Sequence, residues 1–268
     1  MKTIISLTSH GKRINEVLFR ALSTLLDQDI PSKVILYLDK DADPYLGIVR
    51  EKFKALAQLG LEIRAGYENI GVHSKWFWAL QEFPNDLVVL ADDDAYYPRD
   101  WLRSLVEQYQ KTGSMTCLTS EGVYYDEDRY KLCHTRCCPC KNIDSPLNMH
   151  GCLIPPNSFH SDVFNKELFL TLTPKADEIW LFAMRILNNK PVSFIDKPLA
   201  QKIRRNLLLI DQSMEAGGTC LWKYNAFEGG NVKQLNAVIA HYPILADKIK
   251  KFKCDKSQNI HNIFDLGE

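Results

Sequence analysis

Asp86-Leu87-Val88-Val89-Leu90-Ala91-Asp92-Asp93-Asp94-Ala95-Tyr96-Tyr97-Pro98 is a short apolar run that ends in three carboxylates. The run has no polar alternation, which predicts a strand buried on both faces, as in a parallel sheet covered by helices. Such sheets bind ligands at the carboxyl ends of their strands, and that is where Asp92, Asp93 and Asp94 fall. Three adjacent aspartates repel one another and are costly to bury, so a cation is a natural way to hold them together. Hard oxygen ligands suit Mg2+ or Mn2+, and Mg2+ takes one or two protein carboxylates, completing its shell with water and phosphate oxygens. The triplet therefore predicts a divalent cation with a diphosphate beside it. The competing reading is a solvated acidic turn before a helix starting near Pro98, with Asp94 assisting that helix's N-terminus.

Working back from the triplet, strand and helix alternate. Thr3 to Thr8 is an apolar strand, followed by Ser9-His10-Gly11 and a helix over 12–26 with Ile14, Val17, Leu18, Ala21, Leu22 and Leu25 on one face. A second strand covers 34–38, with Asp39 at its end, and a helix over 44–59 stops at Gly60. A short strand over 61–64, then Gly71 and a helix over 73–83, complete the lead-in. Short linkers and right-handed crossovers put all four strand ends on one edge. Thr8 to Arg13, Asp39, Gly71 to Lys75 and Asp92 to Asp94 are therefore expected to converge on one crevice.

Working forward, a helix over 100–111 and a strand over 115–119 precede a long polar stretch, 120–149. A loop of that length is expected to serve as a cover or binding loop. Extended structure is expected at 151–156, helices at 163–170 and 177–187, and a strand at 192–195. The end of the chain is less regular, with a helix near 232–240 and the basic stretch Lys248 to Lys253. The resulting expectation is an α/β fold, a mostly parallel sheet flanked by helices, in a catalytic unit over 1–210. Within it, 1–119 would bind the nucleotide and 120–210 the acceptor, and 211–268 would form a helical appendage.

The 33 basic and 33 acidic side chains of the 268 residues cancel, which argues against a broad cationic face for nucleic acid. Hydrophobic residues at 46% supply a full core. No apolar run reaches spanning length and Met1 leads directly into a strand, so the expectation is a cytoplasmic protein. The lysines near the C-terminus raise the further expectation of peripheral contact with the anionic inner face of the cytoplasmic membrane. Eight cysteines in such a chain read mainly as reduced thiols. Cys133, Cys137, Cys138 and Cys140, with Cys152 later, supply enough soft ligands for a structural Zn2+, although their spacing forms no paired CxxC module.

Neither phosphate-binding glycine motif is present, so a nucleotide site would depend on metal, side chains and strand-end backbone. Asp39 could accept hydrogen bonds from a base or ribose, and Lys75 could meet a phosphate at the start of its helix. Asp177 and Glu178 begin an amphipathic helix, where acids favour the dipole. A carboxylate facing a metal-bound diphosphate is also what sugar transfer needs, because the attacking hydroxyl must lose its proton. His150 and His241 are further candidates for metal or acceptor contacts, though each reads more readily as structural.

These residues together resemble a family. The strand Ile4 to Thr8, Asp39, Asn69-Ile70-Gly71 with Lys75, Asp92-Asp93-Asp94 and Ala176-Asp177-Glu178-Ile179-Trp180-Leu181 look like a bacterial family-2-like glycosyltransferase of GT-A fold, over roughly the first two thirds of the chain. The resemblance implies that the triplet is the DxD motif, with Asp92 on nucleotide or metal and Asp94 on the divalent cation. It implies that Asp39 reads the nucleobase; Thr8, Arg13, Gly71, Lys75 and Asp93, brought to the same crevice by the strand ends, are expected to line the donor site. The Asp177-Glu178 pair is similar to the family's ED motif with the two acids reversed, so either could be the base. Thr8-Ser9-His10-Gly11-Lys12-Arg13 replaces the common Pro-x-Tyr-Asn, and no QxxRW motif occurs, which argues against a processive polysaccharide synthase.

The function implied is inverting transfer from a nucleoside-diphosphate sugar, a UDP-sugar, to a glycan or lipid-linked glycan acceptor of a bacterial surface, such as lipopolysaccharide or capsule. Two rivals remain at this point. A sugar-nucleotidyltransferase or phosphatase could also use the aspartates, although a phosphatase of that type carries them on its first strand and a nucleotidyltransferase has a glycine-rich loop there. A zinc-stabilised binding module built on the cysteines is the other.

Overall fold

The computed structural model describes residues 1–10, 14, 16–118, 123–126, 129–132, 151–195, 199, 202, 208–209, 221 and 223–251. Four strands, β1 (Thr3–Thr8), β2 (Lys33–Asp39), β3 (Leu61–Tyr67) and β4 (Leu87–Leu90), pair in parallel in the order β4-β1-β2-β3. Their side chains alternate between two layers. Ile4, Ile35, Val88 and Leu90 enter one core, whereas Ile5, Leu7, Leu36 and Val89 enter the other. This is why β4 reads as an unbroken apolar run: both of its faces are covered.

The helices covering these faces follow from sequence periodicity. α1 (Glu16–Leu26) buries Val17, Leu18, Ala21, Leu22 and Leu25, the face expected from the 3.6-residue spacing. The helix expected over 44–59 is instead a 3-10 turn at Lys40–Tyr45 followed by α2 (Leu46–Lys52) and α3 (Lys54–Gln58). Phe53 between them leaves ideal helical geometry, with φ −97° and ψ 8°, yet its N–H still donates to the Val49 carbonyl and its carbonyl accepts from Ala57. Burial of the Phe53 ring fixes that corner, so the apolar period runs through it. On the other face lies α4 (Ser74–Glu82), preceded by a 3-10 turn at Gly71–His73.

After β4 the chain makes a two-residue strand, β5 (Ala95–Tyr96), then α5 (Trp101–Thr112) and β6 (Met115–Cys117). A hairpin follows, β7 (Val123–Asp126) with β8 (Arg129–Leu132), and then β9 (Cys152–Ile154). β9 runs antiparallel between β4 and β6, which gives the seven-stranded order β10-β6-β9-β4-β1-β2-β3. The sheet is thus parallel except at β9. Three apolar residues carry no mark of their direction, so the sequence predicts extended structure there and not its sense.

α6 (Lys166–Leu172), α7 (Asp177–Leu187) and β10 (Val192–Phe194), parallel to β6, follow. β5 pairs antiparallel with β11 (Leu208–Leu209), a contact that nothing in the local pattern of either segment signals. α8 (Gly230–His241) and α9 (Ile244–Lys251) come last, and their Leu235, Val238, Leu245 and Ile249 lie in the same core as Ile179, Phe182 and Met184 of α7. Among the described residues no helix is long and apolar enough to cross a membrane.

Candidate active site

The strand ends converge as the alternation predicts. At the end of β1 the Thr8 hydroxyl donates to the Tyr37 carbonyl at 2.9 Å, which fastens β1 to β2 and commits that hydroxyl to the scaffold. Asp39 closes β2, where its Oδ1 accepts the Asp41 N–H at 3.0 Å. Burial first, and the Asp41 charge second, push the Asp39 carboxyl above its ordinary value. The loop after β3 joins this corner, because Asn69 donates through its amide to Asp41 at 2.5 Å.

Asn69 also accepts the Gly71 N–H at 2.9 Å, and Gly71 sits at φ +61°, in the left-handed region that favours glycine. The Gly71 turn faces the segment leading into α7. A side chain at Gly71 would approach the Pro174 carbonyl, and His73 donates from Nε2 to the Thr173 carbonyl at 2.8 Å. Burial lowers the His73 pKa to about 4, helped by the Lys75 charge and opposed by Asp177 and the Thr173 bond. His73 is therefore neutral. Among the described residues its buried Nδ1 has no hydrogen-bond partner.

Two residues on, Lys75 reaches across to two acids. Its Nζ lies 3.2 Å from Asp177 Oδ2 and 3.5 Å from Asp92 Oδ1. Burial alone would favour the neutral amine, but the charges of Asp177, Asp92 and Glu178 outweigh it and raise the Lys75 pKa. The sequence makes this ammonium a candidate phosphate contact, and the structure sets it against the two carboxylates.

The triplet itself is divided by environment. Asp92 is the open member, with 29% of its side chain exposed, whereas Asp93 and Asp94 are buried. The Ser9 hydroxyl donates to Asp93 Oδ2 at 2.5 Å, and the Asp92 N–H donates to the Tyr97 hydroxyl oxygen at 2.7 Å. Burial raises the Tyr97 pKa well above its usual value, and Asp92, then Asp94 and Asp93, add to that. One phenol thus senses all three acids. Ser9 falls within the 8–13 stretch expected at the crevice but carries no role of its own there, and Tyr97 lies outside that expectation; only its position just past the triplet could have suggested it.

Among the described residues no three His, Cys, Asp or Glu side chains form a ready-made metal cage. The donor set nevertheless fits Mg2+ or Mn2+, which take one or two carboxylates and fill the remaining positions with water and phosphate oxygens. Asp92 and Asp94 are the residues that would hold the ion.

Arg13 and His150 lie outside the described residues, as do the cysteines at 133–140. Cys152 is buried in β9 with its Sγ 3.1 Å from Cys117, its register partner in β6. Packing between two sheet strands, rather than a loop, is therefore its setting. His241 is exposed at the end of α8 and packs edge-on against Tyr242. Lys248 is engaged at the end of α7, donating to Asn189 Oδ1 at 2.6 Å and to the Leu187 carbonyl.

No curated protein sequence matches this chain. Among solved structures, the mannosyltransferase PcManGT from Pyrobaculum calidifontis, in complex with GDP-Man and Mn2+, is 21% identical with a TM-score of 0.37, covering 47% of this chain and 36% of its own. S. aureus TarS (1-349) is 13% identical with a TM-score of 0.47, covering 93% and 81%. A 4-diphosphocytidyl-2C-methyl-D-erythritol synthase from Anaerococcus prevotii is 17% identical with a TM-score of 0.43, covering 72% and 87%. Likeness at that level says nothing about substrate. The sequence itself is more telling: residues 8–175 match the model of glycosyl transferase family 2, and because they span more than half of the chain, it belongs to that family and is a glycosyltransferase of GT-A fold.

Proposed function

We propose that this glycosyltransferase takes its sugar from a nucleoside diphosphate, UDP, with Mn2+ or Mg2+ held by Asp92 and Asp94. The observation that carries the reading is the meeting of Asp92 and Asp177 at one ammonium, which brings an acid of the aspartate triplet and an acid of the α7 N-terminus to the same crevice. A bound divalent cation would neutralise the charge developing on the diphosphate as it departs. Asp39, at the neighbouring strand end, would accept hydrogen bonds from the base or ribose, with Thr8, Gly71 and Asp93 shaping the donor side. Asp177, or Glu178 beside it, would take the proton of the acceptor hydroxyl as that oxygen bonds to the anomeric carbon and the bond to the diphosphate breaks. Attack from the side opposite the leaving group inverts the anomeric centre.

The acceptor would be a glycan or lipid-linked glycan of a bacterial surface, such as lipopolysaccharide or capsule, met in the cytoplasm. Any contact with an anionic membrane would fall to Lys250, Lys251 and Lys253, since Lys248 is already engaged. The reading is tested by thermal-shift titration with UDP, GDP and CDP, each with and without Mn2+, followed by transfer assays from the matching sugar nucleotides. UDP with Mn2+ should raise the melting temperature, and UDP-sugar should be consumed only with acceptor present. Release of free phosphate from sugar phosphates, with no sugar transfer, would count for a phosphatase instead.

A further inference from the structure

The segments 71–75 and 173–177 face each other in three successive contacts. Gly71 lies beside the Pro174 carbonyl, within ordinary packing reach of a Cβ placed there, His73 donates to the Thr173 carbonyl, and Lys75 meets Asp177. The last is the only one of the three built from charges. Asp177 is 5% exposed, and Lys75 keeps only 13% of its side chain in solvent. Taking both out of water is costly unless they stay together, so neither is free to swing to a ligand at little cost. The backbone behind Lys75 is fixed as well, because the fully buried Ser6 hydroxyl of β1 donates to the Lys75 carbonyl. Ser6 thereby ties the start of α4 to the strand that lies beside the triplet strand.

We propose that Lys75 is a positioning residue for the acceptor-activating acid: its ammonium, anchored from β1 and steadied by Asp92, holds the Asp177 carboxylate in place in the crevice. This rests on the reading of Asp177 as the base. It differs from the reading, drawn from the start of the helix, that Lys75 could meet a phosphate. A phosphate ligand serves donor affinity, whereas a residue that aims the base serves turnover, and misplacing a reacting group by about 1 Å costs on the order of 100-fold in rate.

The ion pair is tested first with no ligand present. Urea unfolding midpoints of Lys75→Met, Asp177→Asn and the double variant form a cycle. Each single change strands a buried partner, so the double variant should lose less than the two single losses together. Additive losses would overturn the proposal whatever the enzyme transfers. The second measurement separates affinity from turnover. With Mn2+ present, Lys75→Met should keep calorimetric UDP affinity within about threefold while kcat falls roughly 10- to 100-fold, and Lys75→Arg should recover part of that loss. A fall in UDP affinity with kcat retained makes Lys75 a diphosphate ligand, which overturns the proposal and leaves the transferase reading standing. Full transfer by Asp177→Asn removes the base and the proposal with it, even if the unfolding cycle shows the pair to be coupled.

Discussion

If Asp94 holds the cation as proposed, replacing it by alanine takes away one hard oxygen ligand and one of three neighbouring carboxylates, so the two effects on the protein oppose each other. Asp94→Ala should lose Mn2+-dependent UDP affinity by tenfold or more, an order-of-magnitude expectation, while the melting temperature stays near wild type. Calorimetry with UDP, with and without Mn2+, checks this; unchanged affinity would remove Asp94 from the metal site. Asp177→Asn probes the other side of the crevice. It should leave UDP binding nearly intact and lower transfer by roughly two to four orders of magnitude, with Glu178→Gln milder. A larger loss at Glu178 would exchange the two roles. At this scale the sequence supplied the charged residues but not their partners. The triplet was legible because three like charges at a strand end demand a reason. The turn of Lys75 toward Asp177 was not, because the pair is separated by about a hundred residues and only the packing of 71–75 on 173–177 brings it together.

Elements repeat this contrast between local pattern and long-range contact. The buried face of α1 could be read from spacing alone, since periodicity is a property of the helix itself. The sense of β9 and the pairing of β5 with β11 depend on where distant chain returns, which short apolar runs do not encode. β9 has one local requirement that can be tested. Gly151, just before it, sits at φ +135°, and a Cβ there would lie 2.7 Å from the buried Trp101 indole of α5. Gly151→Ala therefore meets both an unfavourable backbone and a rigid ring, and should cost about 2–4 kcal/mol of stability. Urea unfolding at fixed pH measures it. A loss below about 1 kcal/mol would mean that the β9 entry shifts without disturbing α5.

For the whole molecule, His73 should leave its mark on stability against pH. Folded His73 titrates near pH 4 and an unfolded histidine near 6.5, so between those values the unfolded chain holds the extra proton. Stability is complete above about pH 6.5 and declines as pH falls toward about 4, by roughly 3 kcal/mol from this group. His73→Gln, which can still donate to the Thr173 carbonyl, should flatten that decline in unfolding curves taken across the window. An unchanged slope would assign the pH response to other groups. The placement of β9 bears instead on how the chain is made. During synthesis β4 emerges about sixty residues before β9, and until Ile154 has left the ribosome β4 has a bare edge on that side. A fragment ending near residue 119 would carry all four parallel strands and the complete aspartate triplet, yet leave that apolar strand open to pairing with any neighbouring chain. Such a fragment should be found in the pellet rather than the supernatant, and extending it past β9 should bring it back into solution.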